Sequence, residues 1–411
     1  MRDRGEGRSP VTNIELFFDL VYVFAVTQLS HYLLDHLTVA GALQGALLLA
    51  MVWQLWAYTT WLTNWLDPDR LPVRLLLLVM MVISLVMSAA LPSAFTDSGL
   101  LVGSSYAVMQ IGRSIFAVWA LRRQPLAVNY QRILVWCCVS GALAVSGGLT
   151  AGVLPRALLW LAAVGVDLLG SAVGFWTPGL GASPTKAWNI EGGHFAERCQ
   201  GFILIALGES IVVTGATLAG LLAGPLAQPG AQHAPTIAAF GVAFVGSAGL
   251  WWLYFDRSAA DAARLIAASP DPGRLGRYYH LIHPIMVAGI IVVAAGDDRV
   301  LTKPTAVAGV AVSWLILGGA GLFIAGHLVF KLAVWRRLNW PRTAALGLLA
   351  LLGLLAPHVS RLILGCCAAA VVVLVAVADH AGWGAGEPAA DGADAADGPD
   401  DDGAEPLELG S

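Results

Sequence analysis

The chain contains a series of apolar runs, and most of them are long enough to cross a lipid bilayer. A spanning helix needs about 20 mostly apolar residues, and twelve runs in the sequence approach or exceed that length. The predicted spans are 14–34, 39–62, 73–95, 100–121, 132–152, 156–176, 200–223, 236–255, 281–297, 305–330, 342–357 and 359–379. In the hydrocarbon core of a bilayer the backbone must satisfy its own hydrogen bonds, so only helices and closed barrels can span it. The runs therefore predict an all-α integral membrane protein with about twelve transmembrane helices.

Composition leads to the same class. Hydrophobic residues make up 57% of the chain and charged residues only 12%, and the mean hydropathy is +0.72, far above the needs of a soluble core. The first apolar run carries Glu15 and Asp19 and has no small-residue cleavage site, so we expect it to stay in the mature protein. The segment 381–411 is rich in Asp, Glu, Gly and Ala without Lys or Arg, which predicts a disordered acidic tail.

The distribution of Lys and Arg between the spans predicts the orientation. Basic connections stay in the cytoplasm, and most Lys and Arg residues lie before the first span or in the even-numbered connections. The opposite side carries only Arg156, Arg299, Lys303 and Arg361. We therefore expect both termini to be cytoplasmic.

Matching residue pairs indicate an internal duplication. Gly112-Arg113 is followed by Arg122-Arg123 at the same spacing at which Gly326-His327 is followed by Arg336-Arg337. Trp56-Ala57-Tyr58 likewise corresponds to Trp252-Leu253-Tyr254. Six spans per copy give the two copies the same orientation, as in secondary transporters built from parallel repeats. The predicted organisation is a cytoplasmic N-terminal segment 1–13, a first half 14–176, a cytoplasmic connection 177–199, a second half 200–380 and a cytoplasmic tail 381–411.

Ionisable residues inside the apolar runs are the candidate functional residues, because such groups are costly in a membrane and normally face a partner or a water-filled cavity. The main candidates for transport or ion coupling are Asp19, Arg113, Asp167, Glu209 and His327, and the secondary candidates are Glu15, Glu197, His280 and His283. Arg113 lies too deep to reach either surface easily. We expect a buried network centred on Arg113 that draws on the three deep carboxylates. The alternatives are a structural ion pair that fixes helix packing and a substrate or ion pathway.

Two of these sites have more specific expectations. Gly208 would allow close approach of a helix or ligand, and Glu209 beside it is the best single candidate for binding and releasing a proton. His280 and His283 lie on one helical face, where they would either anchor the helix at the membrane interface or contribute to a site, without a third ligand for a metal. The five cysteines show no metal-ligand spacing either, and we expect neither a metal nor a cofactor.

Three blocks of the chain resemble a known family. Glu15-Leu16-Phe17-Phe18-Asp19-Leu20-Val21-Tyr22-Val23-Phe24, His194-Phe195-Ala196-Glu197-Arg198 with Ala206-Leu207-Gly208-Glu209-Ser210, and His280 with Ala295-Gly296-Asp297 are similar to signature blocks of the bacterial low-temperature-requirement protein A (LtrA) family. The resemblance covers about residues 11 to 380. It implies a multi-spanning protein of the bacterial cytoplasmic membrane linked to growth in the cold, with no established substrate and no catalytic residues.

A shorter likeness concerns mechanism. The segment 17–27 is similar to the first-helix Phe-Ser-Asp motif of the lysosomal-type potassium and proton channels, which also consist of six-helix repeats. The chain departs from that motif at Phe18, where the channels have Ser, and at Asn13, where they have Arg. Gln200-Gly201 stands where a second copy of the motif would lie.

Three classes of function follow from these features. We favour a proton- or ion-coupled transporter of unspecified substrate that works by alternating access, with Asp19, Arg113 and Glu209 lining a shared cavity. A cation or proton channel and a membrane structural or stress protein are the alternatives. The sequence contains no nucleophile elbow, zinc motif, P-loop or dinucleotide motif, so we expect no enzyme. The expected partners are the lipid bilayer, an ion or small molecule and possible further copies of the chain, but not nucleic acid.

Overall fold

Twelve long helices make up the described part of the protein. The computed structural model describes residues 11–183, 191–228, 233–256, 262, 264–266, 269 and 271–383. The helices are α1 Asn13–Asp35, α2 Val39–Thr63, α3 Leu71–Ala90, α4 Gly99–Ala120, α5 Leu126–Leu149, α6 Val153–Ala172, α7 Gly192–Ala223, α8 Ala234–Phe255, α9 Pro272–Thr302, α10 Val310–Trp335, α11 Trp340–Leu355 and α12 Arg361–His380. Most of the N-terminal segment, part of the central connection and nearly all of the acidic tail lie outside the described residues.

Each helix coincides with one of the twelve predicted spans. Within the described residues, eleven helices are long and apolar enough to cross a membrane. The remaining one, α4, has the length but carries Gln110 and Arg113. The protein is therefore an all-α polytopic membrane protein. The largest boundary errors are at the starts of α7 and α9, which lie at Gly192 and Pro272, eight and nine residues before the predicted starts. The added turns contain polar residues and are therefore not apolar in sequence. α5 also begins six residues early, at Leu126.

The outside of the bundle is apolar. Leu75, Val79 and Val82 on α3 are all more than half exposed, and they recur at the three- and four-residue spacing of one helical face. Soluble monomers rarely expose an apolar surface of this extent to water. Lipid is the environment that this surface suits.

The same six pairs of helices pack together in the first six helices and in the last six. In the first six the pairs are α1–α2, α1–α3, α2–α6, α3–α4, α4–α5 and α5–α6, and in the last six they are α7–α8, α7–α9, α8–α12, α9–α10, α10–α11 and α11–α12. Contacts of α4 with α2, and of α9 with α8 and α12, fall outside this shared set. The two groups of helices meet where α1 packs against α7 and α9, and where α2 packs against α9 and α7.

Close helix contacts depend on glycine. A Cβ atom on Gly103 of α4 would lie 2.2 Å from the carbonyl oxygen of Ala144 on α5. Between α9 and α10, a Cβ on Gly319 would lie 2.7 Å from the backbone nitrogen of Val293. Gly319 follows a π-helical stretch, Trp314–Gly318, within α10. Small residues at these points let the backbones touch, which is how helices associate in lipid.

Candidate functional site

Four ionisable side chains form a buried cluster between α1 and α7, called here the seam cluster: Glu15, Asp19, His194 and Arg198. Arg198 Nη1 lies 3.0 Å from Glu15 Oε1, and Nη2 lies 2.7 Å from Asp19 Oδ1. His194 Nε2 lies 3.0 Å from the same Glu15 oxygen. Trp56 of α2 donates from Nε1 to Asp19 Oδ1 at 2.7 Å. One guanidinium on α7 therefore joins two carboxylates on α1.

The local sequence explains why these groups meet. Glu15 and Asp19 are four residues apart on α1, and His194 and Arg198 are four apart on α7, so each pair lies on one face of its helix. Thr12 fixes the start of α1, since its backbone nitrogen and its hydroxyl both donate to Glu15 Oε2, at 3.0 and 2.9 Å. All four members of the cluster are at most 2% exposed. Buried charges of this kind persist only with close partners.

Glu209 lies on α7 well beyond Arg198, about 16 Å further along the helix axis at 1.5 Å per residue. It is 2% exposed. Among the described residues it forms no ion pair, and its Oε1 atom is buried without a hydrogen-bond partner. Thr27 and His31 of α1 are within interaction range. The α1–α7 interface thus continues from the seam cluster to a carboxylate that lies beside Thr27 but forms no ion pair with a described residue.

No other helix approaches Gly208 closely, so the expectation of a helix contact there is wrong. A Cβ atom there would meet nothing within 4 Å. The neighbouring Ser210 makes the contact with another helix instead, because its hydroxyl lies 3.2 Å from that of Ser247 on α8. Gly208 therefore does not mark a contact between helices.

A cavity of about 450 Å³ lies among α2, α4, α5, α6 and α9. Its walls include the side chains of Tyr58, Arg113, Arg277 and His280, and the turn after α6 closes one side with Phe175. These residues belong to the ends of helices that the loop charges predict to be cytoplasmic. The volume is within the range of about 300–1,000 Å³ that is typical of ligand pockets.

Arg113 is held by amide and carbonyl groups rather than by a carboxylate. Its Nη1 donates to the carbonyl oxygen of Leu55 at 3.3 Å and to the hydroxyl of Thr59 at 3.4 Å. Its Nη2 donates to the side-chain oxygen of Gln110. The amide nitrogen of Gln110 in turn donates to Asp167 Oδ2 at 2.6 Å. Gln110 therefore links the arginine to the acid.

The predicted network around Arg113 is correct for Asp167 and wrong for Asp19 and Glu209. Asp167 reaches Arg113 through Gln110. Asp19 pairs with Arg198 instead, and Glu209 stands apart on α7. The cavity is lined by Arg113 but by neither Asp19 nor Glu209, so the expected shared cavity is wrong in that form. The cause is that α1 contributes its acids to the α7 interface, whereas α4 packs against α2, α3 and α5.

His327 belongs to a second buried cluster. Arg342 of α11 donates to both carboxylate oxygens of Asp379 on α12, at 2.7 and 2.5 Å, and its Nη2 lies 3.3 Å from His327 Nδ1. Lys331 Nζ lies 3.4 Å from Asp379. Such a bidentate arginine–carboxylate pair is among the strongest charged hydrogen-bond arrangements.

The groups around Arg113 and around His327 lie on helices with the same position in the first six and in the last six. Tyr58 of α2 lies under the guanidinium of Arg113, 5.1 Å from its ring centroid. The rings of Tyr254 on α8 and His327 on α10 are 5.9 Å apart. Asp167 on α6 and Asp379 on α12 complete the two sets. Each set thus combines a tyrosine, a basic residue and an acid from the second, fourth and sixth helices of its group.

The secondary candidates divide between buried and exposed positions. His280 and His283 are both buried, on a helix that begins at Pro272. His280 Nε2 lies 2.5 Å from the side-chain oxygen of Gln54, and His283 Nε2 lies 2.9 Å from the hydroxyl of Tyr254. Glu197 is exposed and points away from the seam cluster.

Several residues of these clusters were not predicted from the sequence. The loop-charge pattern accounts for Arg198 and Arg342 only as orientation signals, yet both side chains are at most 1% exposed. The matching four-residue spacings in Glu15–Asp19 and His194–Arg198 are a signal that could have identified the seam cluster. Gln110 and Arg277 carry no comparable sequence signal. Among the described residues, no group of three or more His, Cys, Asp and Glu side chains is placed to hold a metal ion.

Comparison with known sequences assigns the chain to a family. The family model described as Bacterial low temperature requirement A protein (LtrA) matches residues 10–377, nearly the whole chain. The chain belongs to the LtrA family. This LtrA protein is also 34% identical over 370 residues to uncharacterized protein RA0937 of Rhizobium meliloti (strain 1021), an alignment that covers 89% of the chain and 88% of that protein. No solved structure matches this LtrA protein.

Proposed function

We propose that this LtrA protein is a proton- or ion-coupled transporter of the bacterial cytoplasmic membrane, with both termini in the cytoplasm. The observation that carries the proposal is Glu209, a buried carboxylate without an ion pair among the described residues. A purely structural acid in a membrane helix needs a partner that offsets its burial. A carboxylate that must bind and release a cation instead has to be free of a permanent counter-charge.

The position of Glu209 supports a pathway along α7. Arg198 lies towards the start of the helix, and Thr217 towards its end donates to Asp298 of α9 at 2.8 Å. From Arg198 to Thr217 the helix rises about 28 Å, close to the roughly 30 Å of the hydrocarbon core. Ionisable or hydrogen-bonding groups therefore occur on α7 near both membrane surfaces and at mid-depth.

The packing of the helices supports alternating access. The recurrence of six helix pairs in the first and last six helices is expected of two parallel repeats, which rock against each other in many transporters. α1 and α7 would be corresponding helices, and they meet at the interface between the two groups. In our proposal the seam cluster holds this interface closed on one side, and Glu209 changes its charge when the interface rearranges. No enzymatic reaction is part of the proposal.

The test is proton and monovalent-cation flux in liposomes that contain the purified protein. We expect Glu209→Gln to lower flux at least tenfold, because the amide cannot exchange a proton or offset a cation. Glu197→Gln is the matched control, since Glu197 is on the same helix but exposed, and should leave flux within twofold of wild type.

The outcomes separate the alternatives. Equal loss in both variants, or no flux under any gradient, would contradict the proposal. Flux that Glu209→Gln abolishes but that never drives a second solute against its gradient would favour a channel instead.

A further inference from the structure

We propose that the cavity beside Arg113 binds a small organic anion with an apolar body, as the transported or regulatory solute. This inference rests on the proposed function and names the chemical class of its ligand. The cavity has a volume of about 450 Å³. Its walls come from both sets of six helices, because α2, α4, α5 and α6 belong to the first six and α9 belongs to the last six. A ligand here would contact both sides of the interface that alternating access requires to move.

The charge on the walls selects an anion. The described side chains that line the cavity include Arg113 and Arg277 but no Asp or Glu. Asp167 offsets the charge of Arg113 through Gln110. Arg277 also lines the cavity, and it forms no ion pair with a described Asp or Glu. One positive charge thus faces the cavity without a counter-charge from the described walls.

Hydrogen-bond donors remain for a carboxylate or a similar group. Arg113 has five N–H donors, and its contacts with Leu55, Thr59 and Gln110 use three of them. Ser183 also lines the cavity. It is 3% exposed, and its hydroxyl has no hydrogen-bond partner among the described residues. A buried hydroxyl left unpaired is costly, and an anion oxygen in the cavity would satisfy it.

The first turn of α9 adds to this preference. Gly273 of that turn lines the cavity, and a helix N-terminus carries partial positive charge from its unsatisfied N–H groups. Asp271 caps the helix and accepts from the nitrogen of Arg274 at 3.1 Å, so the cap uses one of those groups. The helix start supports the anion site that the two arginines and Ser183 define.

The cavity wall also contains four aromatic side chains, which favour a ligand with an apolar body. Tyr58, Trp61, Tyr130 and Phe175 surround the cavity. Burying the apolar surface of these rings against a ligand is favourable, so the cavity favours a ligand with its own apolar surface. A bare inorganic anion would leave them uncovered, and an organic cation would face Arg277.

Binding of three probes of equal size tests the inference. In detergent-solubilised protein we would measure the affinity of benzoate, benzamide and benzylammonium by titration calorimetry, and the thermal unfolding midpoint with each. We expect benzoate to bind and to raise the midpoint, and the neutral and cationic probes to bind at least tenfold more weakly. Arg277→Gln should weaken benzoate at least tenfold, and Ser183→Ala about two- to fivefold.

Arg274→Gln is the matched control, because Arg274 is exposed on the same turn region of α9 and does not line the cavity; it should leave benzoate affinity unchanged. Absence of benzoate binding, equal binding of benzylammonium, or benzoate affinity insensitive to both Arg277→Gln and Ser183→Ala would overturn the inference. Glu209→Gln should keep benzoate affinity. Benzoate binding without any ion flux would therefore preserve the anion site and contradict the transport proposal, whereas flux without benzoate binding would do the reverse.

Discussion

Arg198 connects the first and seventh helices through charge. Its guanidinium contacts Glu15 and Asp19 at 3.0 and 2.7 Å. Removing one partner of a buried pair costs more than the pair itself contributes, because it leaves an uncompensated charge. The seam cluster is therefore sensitive to loss of the arginine.

We expect Arg198→Leu to lower the free energy of unfolding by about 3–5 kcal/mol. The matched control is Arg74→Leu, which removes an exposed arginine 3.1 Å from Asp69 and should cost at most about 1 kcal/mol. Unfolding of the purified protein in mixed micelles with increasing SDS measures both values. Similar losses in the two variants would show that the seam cluster does not stabilise the helix interface.

The same residue shows a limit of sequence interpretation. A single Arg near the end of an apolar run fits both an orientation signal and a buried partner, and hydropathy gives no distinction between the two. Glu15 and Asp19 could be predicted to need a partner, because acids in an apolar run are costly. Which basic residue supplies it depends on which helices pack together, and that follows from tertiary contacts alone.

At the scale of helices, the packing of α4 against α5 depends on the absence of a side chain. A Cβ atom on Gly103 would lie 2.2 Å from a backbone oxygen of α5, and a backbone atom cannot move aside as a flexible side chain can. On α7, a Cβ atom on Gly215 would meet nothing within 4 Å. The two glycines thus allow the effect of helix packing to be separated from that of helix propensity.

We expect Gly103→Ala to destabilise the protein by about 1–3 kcal/mol, the usual cost of overpacking. Gly215→Ala should instead be neutral or stabilising by up to about 1 kcal/mol, because alanine favours the helical state. The thermal unfolding midpoint in detergent reports the sign of each change. A rise in the midpoint for Gly103→Ala would mean that α4 and α5 are further apart than the structure shows.

Helix existence was predictable and helix starts were not. All twelve helices follow from the length of the apolar runs. The starts of α7 and α9 were placed several residues late, because His194, Arg198 and His280 interrupt the hydropathy although they are buried in helices. These interruptions coincide with the seam cluster and the cavity. The residues that obscure the boundaries are the ones that form the candidate site.

At the scale of the whole molecule, the orientation in the membrane can be tested at two matched positions. α3 has 20 residues and rises about 30 Å, so the loops at its two ends should lie on opposite sides of the bilayer. Asp69 precedes α3 and lies beside Arg70 and Arg74, while Asp97 follows it. Both side chains are exposed. The basic residues predict that Asp69 is cytoplasmic.

We expect a membrane-impermeant maleimide to label Asp97→Cys in intact spheroplasts and Asp69→Cys only after the membrane is permeabilised. The unmodified protein is the control, because all five of its cysteines lie within helices α5, α7 and α12 and should react weakly with a reagent that stays in water. Labelling of Asp69→Cys alone in intact spheroplasts would mean that the orientation is the reverse of the predicted one and that the anion cavity lies on the outer side. Labelling of both would mean that α3 does not cross the bilayer, and the correspondence between the first and last six helices would then fail.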